Sequence, residues 1–141
     1  MRDMINDDWA QLLAAPRIRA RDLRRPAIPD EPGVHAWFHD AECVYVGLAG
    51  TSLRDRLATH LAITTDLSSS TLRATVALHE LGVTREVARS RPPVLTVAQV
   101  AIVNEWLAGC EVSWLTQPTR EEATEVKRRL RAARLPRFNL V

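Results

Sequence analysis

Two short runs rich in β-branched and aromatic residues, Gly33 to Phe38 (GVHAWF) and Cys43 to Gly47 (CVYVG), are separated only by the polar tetrapeptide HDAE. Runs of this kind joined by so short a polar break form an antiparallel hairpin, and no other feature limits the fold as much. The second run breaks at Gly47, and Thr51 or Ser52 is placed to cap a helix that continues to about Ile63. One strand, turn and helix thus carry Tyr45, Arg54, Arg56 and His60 close together.

The rest of the chain adds helices and one more strand. A helix is predicted around Asp8 to Ala14, with Trp9, Leu12 and Leu13 on one side. It is followed by an arginine-rich connector closed by Pro26, Pro29 and Pro32, which end any helix there. The loop from Thr64 to Ser70 ends in serines suited to capping a helix near Thr71 to Leu81, and Val83 to Pro93 reads as a connector. Thr96 with Gln99 is a capping-box pattern ahead of an apolar repeat at Val100, Val103 and Leu107, which Gly109 stops. Glu111 to Thr116 reads as a third strand, and Thr119 with Glu122 opens a last helix that ends before Pro136. The order is that of an α+β domain, a small sheet covered by helices.

A chain of 141 residues, 46% of them apolar, is long enough for one buried core and short for two. Its apolar runs fall well short of the roughly 20 residues that cross a bilayer. Two cysteines, Cys43 and Cys110, and no basic-then-apolar leader point to free thiols and a cytoplasmic setting. The net charge is only +2, yet Arg17, Arg19, Arg21, Arg24 and Arg25 crowd one segment, and the stretch from Arg120 to Arg137 is densely basic. Such clusters either attract a phosphate backbone or form a solvated surface.

In this order and at these separations, Gly33-Val34-His35, Tyr45-Val46-Gly47, Arg56-Leu57 with His60, and the closing Pro136-Arg137-Phe138-Asn139 resemble the motifs of the GIY-YIG nuclease family. The likeness runs from about Pro32 to Val141. It implies a three-stranded antiparallel sheet flanked by helices, with 64–109 as a helical insertion and 1–31 as a leading helix and basic connector. It also implies hydrolysis of phosphodiester bonds, double-stranded DNA as the partner, and Mg or Mn as cofactor. His35 and Tyr45 would orient or deprotonate water, Arg56 would neutralise the phosphate, and His60 would reach the same phosphate or relay a proton. Arg54, Lys127 and Arg131 are candidate contacts to nucleic acid. Asn139 is either another or a hydrogen-bonded pin for the tail.

Two positions depart from the family pattern. His35 stands where the family has tyrosine, and an imidazole with an ordinary pKa near 6.5 is a better base at neutral pH than a phenol near 10. Lys127 falls where the family has its metal-binding glutamate, and an ammonium group repels a divalent ion. Glu125, the nearest substitute acid, sits about 200° around the helix from Lys127. Two outcomes follow: a metal-dependent nuclease that recruits Glu125, or a catalytically inert module that binds nucleic acid through fixed charge. A third is a protein-interaction domain that uses Trp9 and Leu12.

Overall fold

The computed structural model describes residues 4–140. The predicted hairpin forms from β2 (Gly33–His39) and β3 (Glu42–Ala49), whose register pairs His35 with Gly47 and Trp37 with Tyr45. The two-residue turn places Asp40 at φ 50° and Ala41 at φ 66°. Both values are left-handed, as the tight hairpin turn that matches strand twist requires. Ala41 carries a Cβ in a region that favours glycine, so Ala41→Gly is expected to stabilise the fold by about 0.5–1 kcal/mol. A higher urea midpoint with an unchanged slope would show it.

The sheet has four strands rather than three, in the order β1-β4-β2-β3, each pair antiparallel. β4 (Glu111–Thr116) is the third strand expected. The fourth, β1 (Ile18–Arg19), pairs with it from inside the arginine-rich connector. Two residues are too few to show an alternating pattern, so only the long-range pairing reveals them.

β2 is central, and both its faces are covered. On one side α1 (Met4–Ala14) and α6 (Arg120–Ala133) close a core of Trp9, Leu12, Val34, Ala36, Phe38, Val46, Val126 and Leu130. α1 is integral to this layer: Trp9 donates its indole N–H to the Leu130 carbonyl (2.8 Å), and Asp8 pairs with Arg129 (2.6 Å). On the other side lie α2 (Leu53–His60), α3 (Thr71–Leu81) and α5 (Val97–Ala108) with Trp37, Tyr45, Leu57, Leu72 and Leu107. A bulge between Trp37 and Phe38 lets both Val44 and Tyr45 join that second core.

The predicted caps hold the starts of α2, α3, α5 and α6. Ser52, Ser70, Thr96 and Thr119 each accept a backbone N–H three residues on, and Gln99 returns a bond to Thr96. α2 stops at His60 rather than near Ile63, and the connector after Val83 contains a short helix, α4 (Arg85–Ala88), capped by Thr84. Cys43 and Cys110 are free, buried in opposite layers, and burial pushes their thiols up to about 11 and about 12. Among the described residues no helix is long and apolar enough to cross a membrane.

The connector's basic residues have structural work. The Arg17 guanidinium lies 3.8 Å over the Phe38 ring, Arg21 pairs with Glu105 (3.3 Å), and Arg25 pairs with Asp55 of α2 (2.6 Å). Backbone bonds from Leu53 to Glu31 and from Arg54 to Pro29 lay the end of this connector across the start of α2.

Candidate functional site

The hairpin and α2 bring three rings to one place. His35 of β2, Tyr45 of β3 and His60 at the end of α2 form a triangle, with ring centroids 5.2 Å apart (His35–His60), 6.1 Å (Tyr45–His60) and 6.2 Å (His35–Tyr45). Strand alternation puts His35, Trp37, Tyr45 and Gly47 on the α2 side of the sheet, where Gly47 leaves the room that the imidazole fills. Both histidines are fully buried and Tyr45 is 6% exposed.

The electrostatics of this triangle differ from those expected of a solvent-facing base. Burial, with the nearby Arg56 and Lys127 charges, pushes His35 down to about 3, so it is neutral at physiological pH. Burial likewise holds His60 well below its ordinary value, helped by His35, Arg56 and Arg73. Burial raises Tyr45 although Arg56 and Arg131 pull it down, so the phenol keeps its proton. The expectation that an imidazole at position 35 has an ordinary pKa is therefore corrected: burial of the ring among protein groups disfavours its charged form.

Hydrogen bonds fix the rings. Trp37 donates its indole N–H to His35 Nδ1 at 2.9 Å, and His60 Nδ1 meets the Ser70 hydroxyl at 2.6 Å. Neither His35 Nε2 nor His60 Nε2 has a hydrogen-bond partner. Ser70 is also the cap of α3, accepting the Arg73 N–H at 3.0 Å.

Cations surround the triangle. Arg56, one turn before His60 on α2, donates to the Ser69 carbonyl (3.3 Å). Lys127 of α6 is half-buried, and its ammonium is held below the usual lysine range by burial and then by Arg131 and Arg56. Beside Arg56 opens a pocket of about 250 Å³, in which Arg120 faces the Gly50-Thr51-Ser52 turn.

The remaining candidates are engaged elsewhere. Arg54 donates its Nε–H to the Ile28 carbonyl at 3.0 Å and so pins the connector. Asn139 uses its whole side-chain amide on Val46, accepting its N–H and donating to its carbonyl, both at 2.9 Å, on the outer edge of β3. Glu125 is not part of the cluster: it is exposed, pairs with Arg128, and lies 3.9 Å from Arg129, which is itself bound to Asp8. Among the described residues no three His, Cys, Asp or Glu side chains gather where they could hold a metal ion. The donor set around Lys127 does not fit a divalent cation, which takes carboxylate and carbonyl oxygens and is repelled by fixed positive charge.

Four contributors escape a reading by motif: Trp37, Ser70, Arg73 and Arg120. Arg73 is 1% exposed and donates to the carbonyls of Thr64 (2.7 Å) and Asp66 (3.4 Å) and to the Asn104 side chain (2.9 Å). It thereby shapes the loop that presents Ser69 to Arg56 and Ser70 to His60. A lone charge inside the apolar run Leu72 to Leu78 was the available signal.

Neither a curated protein nor a solved structure matches the chain significantly. The sequence profile of the GIY-YIG catalytic domain matches residues 22–141, a span that takes in the whole hairpin, the arginine helix and the closing turn. With that profile covering most of its length, this chain belongs to the GIY-YIG catalytic-domain family.

Proposed function

We propose that this domain of nuclease type binds the phosphodiester backbone of nucleic acid, with double-stranded DNA the first candidate, and that its Mg- or Mn-dependent hydrolysis is weak or lost. The observation that carries the reading is electrostatic: Arg56, one turn before His60 on α2, and the half-buried Lys127 of α6 bear on His35, Arg56 and Arg131 bear on Tyr45, and no carboxylate is among the groups that act on these two rings. Family membership supplies the nucleic-acid side of the reading. Fixed charge can do part of what a bound ion does: it draws in a phosphate and holds it in place. It does not supply the activated water or the stabilised leaving oxygen that an ion gives to hydrolysis. Arg120, facing the neighbouring pocket, is placed to meet an adjacent phosphate.

The reading predicts duplex-DNA affinity that falls steeply between about 50 and 200 mM salt, through counterion release. Arg56→Ala and Lys127→Ala should each weaken binding about tenfold and reduce the salt slope by about 1, whatever the DNA sequence. Lys127→Glu, which reverses the charge, should cost more than Lys127→Ala. Fluorescence anisotropy across a salt series measures all of these. Plasmid nicking by the wild-type protein with Mg or Mn, abolished by Arg56→Ala, would replace this reading with that of an active nuclease. Flat or absent DNA binding at low salt would remove it altogether.

A further inference from the structure

We propose that Trp37 locks His35 in the neutral tautomer that carries its proton on Nε2, so that His35 acts as a hydrogen-bond donor to an oxygen of the bound phosphate and not as a base. This rests on the phosphate-binding reading above and adds a positioning residue, Trp37, and a role for position 35.

The argument starts from the indole. A tryptophan N–H donates and has no lone pair to accept with, so the 2.9 Å contact from Trp37 Nε1 to His35 Nδ1 requires the Nδ1 lone pair. A neutral imidazole has one N–H, which must then sit on Nε2. Protonating Nδ1 would set two donors against each other and break the bond, a cost added to that of charging a fully buried ring. The low pKa of His35 agrees with this independent geometric constraint.

The Nε2–H has no partner, and leaving a buried donor unpaired is costly. The groups that bear on His35 narrow what could satisfy it. Tyr45 and His60 are its ring neighbours, and both are neutral; Arg56 and Lys127 supply positive potential. An acceptor brought into such a setting is favoured if it is anionic, because a charge-assisted bond to a phosphate oxygen gains from the cations as well as from the donor. A cation gains nothing there: Nε2 offers it a hydrogen, not a lone pair. The imidazole therefore takes over the donor capacity of the phenol usual at this position, while the base strength that made the exchange look advantageous is unavailable.

The test is long-range proton–nitrogen correlation NMR on the full chain with labelled histidine. Wild-type His35 should show the pattern of a neutral ring protonated on Nε2, unchanged between about pH 5 and pH 8. Adding a short duplex DNA should move its Nε2–H resonances. Trp37→Phe removes the donor and should let the ring become a mixture of tautomers, with DNA affinity reduced about fivefold. His35→Gln, which keeps a side-chain N–H of similar reach, should retain more affinity than His35→Ala. A wild-type ring protonated on Nδ1 overturns the proposal without any variant, which matters because Trp37 is fully buried and its replacement could fail to fold. DNA binding that leaves the Nε2–H signals unmoved also overturns it, while the phosphate-binding reading stands. No DNA binding by the wild type removes that reading, and the donor role with it.

Discussion

Acidifying the protein from neutral pH to about pH 4 should remove roughly 3 kcal/mol of folding stability through His35 alone. In the folded protein His35 stays neutral down to about 3, because burial and the Arg56 and Lys127 charges oppose protonation. In the unfolded chain it takes up a proton near the ordinary value of about 6.5. Between those two values the unfolded state binds more protons, so stability rises with pH across the window and is lost as pH falls through it. The contribution is fully present above about pH 6.5, and within the window its slope is about 1.4 kcal/mol per pH unit. His60, also buried and shifted in the same direction, adds to the loss. Carboxylates contribute to acid unfolding as well, so the decisive comparison is between wild type and His35→Gln in urea titrations at several pH values. The variant should show a slope shallower by about 1.4 kcal/mol per pH unit in that window. Parallel slopes would mean that the imidazole takes up its proton in the folded state as readily as in the unfolded chain.

The second large effect is expected at Gly47, where Gly47→Ala should cost about 2–4 kcal/mol and lower the melting temperature by about 10 °C. A Cβ built there would lie 2.3 Å from His35 Cε1, 2.5 Å from His35 Nε2 and 2.9 Å from Tyr45 Cε2. Neither ring has room to retreat: His35 is fully buried and tied to Trp37, and Tyr45 packs in the same core. The new methyl group must push the imidazole off the indole or bend β3 away from β2. Gly50→Ala is the matched control. Its Cβ would meet the end of the Arg120 side chain at 3.0 Å, a flexible group that can move aside, so its cost should stay within about 0.5 kcal/mol. Thermal unfolding of the two variants beside wild type decides the matter. Equal melting temperatures would show that His35 is not packed against the strand as described.

The mouth of the site and its interior were unequally legible. Lys127 was visible as a cation at the helix position that the family resemblance gives to an acid, because helical periodicity fixes which residues share a direction. Glu125 was readable as turned away for the same reason, and its pairing with Arg128 adds what the neighbours are. The state of His35 was not readable. Its residue type suggested a base of ordinary pKa, and that expectation failed because protonation depends on water access and on the partner of Nδ1, which no local pattern records. Trp37, two residues along the same strand, is adjacent on the pleated face by simple alternation. Its side chain, however, could as well have packed against α3 or α5.

The hairpin, the capped helices, the α+β order and the motif residues were legible from local pattern. Each depends on periodicity, capping chemistry and turn propensity, which act over a few neighbours in the chain. Long-range packing alone settles that Ile18–Arg19 adds a fourth strand, that α1 is built into the core layer it shares with α6, and that Arg17, Arg21 and Arg25 of the connector engage Phe38, Glu105 and Asp55. It alone decided, too, that two histidines lie buried, neutral and short of one hydrogen bond each beneath a cluster of cations. Burial and charge at a point in space are sums over groups far apart in the chain, and folding performs that sum.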